Sequence, residues 1–171
     1  MYNSIFVFLV IFISVYIEVL FGSFGILLTF TAFAVFYLAV THSVKIGVII
    51  GIIAGITLDM LYGRTMMISP FSMIFIAILG HYWLFQGEID SLLMHFLPGA
   101  ATAFISVFPI ILFNVLFLNT SLNNFINCFF AVIAGGAILP FYIAILDHLA
   151  GITGLTQYKT AKQRMLDEMG Y

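Results

Sequence analysis

The stretch Gly47-Val-Ile-Ile-Gly51-Ile-Ile-Ala-Gly55-Ile-Thr-Leu-Asp59-Met-Leu-Tyr-Gly63 puts a glycine or an acid at every fourth position of an otherwise apolar run. Positions four apart lie on one side of an α-helix, drifting by about 40° per step. The run therefore reads as an apolar helix with a bare backbone stripe that ends in an embedded carboxylate. In lipid, small residues let two backbones approach, and packing is the main attraction available between helices there. Two readings of the stripe follow. It packs against other helices of this chain, or it docks the transmembrane helix of a partner.

The flanking sequence is of the same kind. Of 171 residues, 64% are hydrophobic, and the formal charge rests on five basic and seven acidic residues. A soluble domain carries charge on roughly a quarter of its positions. So few charges cannot cover a water-facing surface, so lipid must be the main solvent. The net charge of −2 and the lack of a basic stripe argue against nucleic acid.

A spanning helix needs about 20 mostly apolar residues. Six stretches come close: residues 4–21, 24–41, 46–62, 70–86, a segment within 91–118, and 125–149. The expected architecture is an all-α integral membrane protein with six transmembrane helices. These form one domain over residues 1–151, followed by a short cytoplasmic amphipathic tail over 152–171. Gly22-Ser-Phe-Gly25 reads as a tight turn, Ser69-Pro70 as an N-cap with proline at the first helical position, Gly87 as a helix end and Asp90 as a cap. Residues 119–124 form a short polar loop. Pro98-Gly99 and Pro109 predict a short interfacial piece before Pro98 and a kink near Pro109. Ahead of the first span there is no basic region, and no small-x-small cleavage site stands before the next span, so that helix is expected to stay.

Six spans put both termini on one side. That side receives Lys45, Lys159, Lys162 and Arg164, against Arg64 on the other, so the basic residues place both termini in the cytoplasm. In the tail, Leu155, Tyr158, Met165, Leu166 and Met169 recur at near-helical spacing. The tail reads either as a solvated topology signal or as a helix lying on the membrane or on a cytoplasmic partner.

Charges inside apolar spans are costly and ask for an explanation. Glu18, Asp59 and Asp147 are embedded acids, and Arg64 follows just beyond Asp59. Glu18 and Asp59 fall toward the outer ends of their helices and Asp147 toward an inner end. That separation argues against an intramembrane aspartyl protease, whose carboxylates must share a proton. Structural ion pairs or snorkelling acids remain, with Arg64 expected to meet Asp59 or Glu18. Cys128 stands alone, so neither an intramolecular disulfide nor a cysteine metal site is expected. His42, His81, His95 and His148 are scattered without ligand spacing. The sequence gives no positive case for an enzyme, a metal or a cofactor.

The run Gly51 to Gly63 resembles the G-x-x-x-G-x-x-x-D-x-x-x-G motif of MreD, the rod shape-determining membrane protein family. Met67 stands where the family often has a further glycine. Phe75 to Trp83 with Gly80 is similar to the family's fourth span, and Gly136 with Pro140 to its last. The resemblance implies a non-catalytic scaffold of the cell-wall elongation machinery in the bacterial cytoplasmic (inner) membrane. Its implied partners are an MreC-like membrane protein, cytoskeletal MreB and the RodA–transpeptidase peptidoglycan synthase. In this reading the helix-packing or partner face comprises Gly47, Gly51, Gly55, Asp59 and Gly63. The family is also similar in fold to the substrate-binding subunits of energy-coupling-factor vitamin transporters, which supplies an alternative. Such subunits usually carry an alanine face on the first helix, and residues 5–21 contain no alanine. Their ligand contacts lie in outer loops, where Asn114, Asn119, Asn123, Asn124 and Asn127 stand here.

Overall fold

The computed structural model describes residues 2–64, 66–84, 92–118 and 123–168. Among these residues there is no strand, and the helices in chain order are α1 (Tyr2–Ser23), α2 (Phe30–Thr41), α3 (Val44–Leu61), α4 (Ser69–Leu84), α5 (Leu92–Leu118), α6 (Asn123–Ile152) and α7 (Tyr158–Glu168). Four of them, α1, α3, α5 and α6, are long and apolar enough to cross a membrane.

The expected second span is shorter as a helix: α2 has 12 residues. At 1.5 Å per residue α2 reaches only about 18 Å, against a hydrocarbon core of about 30 Å. The reason lies in how α1 ends. It runs on to Ser23 and closes in a Schellman motif, with Gly25 at φ 77° and Ile26 N–H bonded back to Phe21 O. The chain then stays non-helical until Phe30. Residues 24–29, read as part of a span, are a connection.

What α2 lacks in length it makes up in burial. Every residue from Thr31 to Thr41 is buried, and α2 touches each of the other six helices. A helix that is apolar all round belongs at the centre of a bundle, and α2 is that centre. By contrast Phe8, Phe12, Ile49, Ile53, Phe71, Phe75, Phe129, Phe141 and Ile145 are exposed. An apolar surface of that extent marks contact with lipid or partner helices.

α5 corrects a second expectation. Among the described residues no separate interfacial piece precedes Pro98: the helix is continuous from Leu92 to Leu118 with Pro98 and Pro109 inside it. Proline is tolerated within membrane helices where neighbours support the backbone, and α5 lies close along α6. A Cβ on Gly99 would run into the Gly135 carbonyl, and one on Gly135 would stand 2.5 Å from Ala103 Cβ. The positions Gly87, Asp90 and 119–122, read above as punctuation, lie outside the described residues.

Candidate functional site

The glycines of α3 are covered by this chain. A Cβ on Gly47 would stand 2.9 Å from Ala39 Cα in α2, one on Gly51 would stand 3.1 Å from Met73 Cβ in α4, and one on Gly55 would stand 2.6 Å from Pro70 N. Gly63 stands apart from the stripe. It lies past the end of α3 at φ 62°, in a second Schellman motif in which Arg64 N–H reaches Asp59 O at 2.9 Å. Its glycine is required by backbone conformation, with no neighbour within 4 Å of where a Cβ would be.

Asp59 closes the stripe and is 1% exposed. Its Oδ1 accepts from Arg64 Nη1 at 2.9 Å and from Ser69 Oγ at 2.6 Å, and its Oδ2 accepts from Ser69 N–H at 2.9 Å. Ser69 Oγ also accepts from Arg64 Nη1 at 2.9 Å. The Ser69 hydroxyl is thus engaged with Asp59 and Arg64, and the acid that receives the first amide of α4 comes from α3. The Arg64 guanidinium lies 4.6 Å over the Tyr62 ring, a cation–π contact. Tyr62 in turn donates to Glu18 O at 3.0 Å, tying α1 to the end of α3.

Glu18 and Asp147 repeat the device. Glu18, 7% exposed in α1, accepts Thr31 N–H in the first turn of α2 at 2.8 Å, where Thr29 offers no side-chain cap. Asp147 in α6 accepts Tyr158 N–H, the first amide of α7, at 2.7 Å, and the Tyr37 hydroxyl at 2.8 Å. α6 also ends in a Schellman glycine, Gly154 at φ 68°. Helix N-termini leave unpaired amides and a partial positive charge, and in lipid each unmet amide is expensive. All three embedded acids therefore cap the helix that follows their own.

Sequence reasoning saw the acids and the glycines after them, but not the amides that each acid receives. Tyr158 is drawn in with this contact. It is 2% exposed, stacks on Phe36 at 6.5 Å, and burial beside Asp147 holds its phenol above the usual range. The tail helix is thus anchored in the core at its first residue.

The Arg64 end of the bundle also holds a cavity of about 210 Å³. Glu18, Tyr62, Arg64, Ser106, Asn114 and Asn127 contribute its polar lining and Leu58, Val107 and Ile111 part of its apolar lining. Asn114 and Asn127 thus come together with Glu18 and Arg64. Asp147 lies elsewhere, 20 positions along α6 from Asn127, or about 30 Å at the helical rise. Among the described residues, no group of three or more His, Cys, Asp or Glu is placed to hold a metal. Comparison with protein-family models, curated proteins and solved structures gives no match to this chain.

Proposed function

We propose that this chain is an MreD-like, non-catalytic scaffold in the bacterial cytoplasmic membrane that helps maintain rod shape by holding an MreC-like partner. The observation that carries the reading is the Gly51–Gly55–Asp59–Gly63 run together with how its members are used. Gly51 and Gly55 pack on α4, Asp59 is saturated by Arg64 and Ser69, and Gly63 turns the chain. Each element of the motif has a structural task, which suits a scaffold better than a reaction centre. Partner contact then falls on the exposed apolar faces, such as Phe8 and Phe12 of α1 and Ile49 and Ile53 of α3. In this reading α2 and α4 complete six membrane-embedded segments, with both termini cytoplasmic.

The test is co-purification of the full chain from native membranes, with identification of the bound proteins. A single-span MreC-like protein, accompanied by the RodA–transpeptidase synthase or MreB, is the expected outcome. Recovery of an energising ATPase with its coupling subunit would instead favour the transporter-subunit alternative.

A further inference from the structure

From charge and space at the Arg64 end of the bundle, we infer that the cavity binds a small organic ammonium ion with an apolar body, held through the carboxylate of Glu18. This does not rest on the scaffold reading, since a scaffold and a transporter subunit can each carry such a site.

The Arg64 guanidinium is matched by Asp59 at 2.9 Å, so the cavity holds no free positive charge for an anion. Glu18 lines the same cavity and is nearly buried. One of its oxygens, Oε2, accepts Thr31 N–H at 2.8 Å, and the Thr31 side chain also bears on the carboxylate. No basic group among the described residues stands within ion-pair distance of Glu18. A buried carboxylate with no cation in direct contact is disfavoured, and the first turn of α2 supplies hydrogen bonds but only a partial charge. The missing element is one positive charge that brings N–H donors.

Space and lining specify the rest. A dry cavity of about 150 Å³ accommodates benzene, so 210 Å³ admits one ring with a short chain. Leu58, Val107 and Ile111 can cover the ring, while Ser106, Asn114 and Asn127 can meet neutral polar groups on the ligand. A bare metal ion would leave most of this volume unfilled.

The probe is phenethylamine in its protonated form, compared with phenethyl alcohol and phenylacetate on the purified full-length chain. Binding is read by calorimetry and by thermal stabilisation. The amine should bind at least about tenfold more tightly than either isostere, the margin of a charge-assisted hydrogen bond. Glu18→Gln keeps an acceptor for Thr31 N–H and removes the charge, so it should bind amine and alcohol alike. Ile111→Trp fills the cavity and should abolish binding of all three. Preference for phenylacetate, stabilisation by sodium chloride alone, or no amine binding at millimolar concentration would overturn the inference. So would an amine affinity that survives Glu18→Gln. Should that variant not fold, amine binding that persists in Ile111→Trp decides against the site.

Discussion

The backbone N–H of Tyr158 donates to the carboxylate of Asp147 at 2.7 Å, across the Schellman turn that separates α6 from α7. A charge-assisted bond of this kind contributes about 1.5–3 kcal/mol. It fixes the first turn of a helix whose sequence otherwise looks solvated. Asp147→Ala should therefore release the tail while leaving the bundle folded. Trypsin cleavage at Lys159, Lys162 or Arg164 should accelerate by about tenfold or more if the bond accounts for that energy. Unchanged cleavage would mean that Tyr158 packing on Phe36 suffices by itself.

The Asp59–Arg64 pair should behave as a buried ion pair. Arg64→Gln leaves a 1% exposed carboxylate without its cation, a change that typically costs about 3–5 kcal/mol. The lower end is expected because Arg64 is a quarter exposed. Adding Asp59→Asn to Arg64→Gln should recover part of the loss. Thermal unfolding of the two single variants and the double variant measures the coupling. A double variant less stable than Arg64→Gln alone would contradict it.

The α3 glycines should rank by what a Cβ meets. At Gly55 it meets Pro70 backbone at 2.6 Å, and at Gly51 it meets Met73 Cβ at 3.1 Å. Gly55→Ala should destabilise more than Gly51→Ala, and Leu at either site should cost at least about 1–3 kcal/mol by overpacking. Thermal stability in detergent checks the order. Leucine variants as stable as the parent that lose an MreC-like partner would instead assign the stripe to the partner.

Topology is open to direct labelling. With Cys128→Ala as background, Leu122→Cys should react with a membrane-impermeant thiol reagent added from outside the cell. The expectation rests on Lys45, Lys159, Lys162 and Arg164 sharing one side. Reaction from the cytoplasmic side alone would reverse the orientation.

Much of this fold was legible because hydrophobic runs and helix-ending glycines are local signals. The six apolar segments, the stripe of Gly47, Gly51 and Gly55, and the turn at Gly25 could all be read from spacing. The 12-residue length of α2 could not, since Ile26-Leu-Leu continues the apolar run and yet stays outside the helix that begins at Phe30. Nor could the closest small-residue crossing, Gly99 against Gly135, because it joins residues far apart in sequence. The same holds for the cavity. Glu18, Arg64, Asn114 and Asn127 sit on four separate segments, and their convergence is a property of the bundle.

The enclosure of α2 bears on how the protein can be made. Its neighbours include α4, α5, α6 and α7, which are all synthesised after it, so α2 waits in lipid only partly covered, by α1 and α3, until the chain is nearly finished. No cut in the chain yields two self-sufficient halves, because any division separates α2 from part of its sheath. Fragments 1–88 and 89–171, expressed singly, should each be degraded. Expressed together, they should reassemble around α2 and accumulate, as pulse-chase of the tagged fragments would reveal.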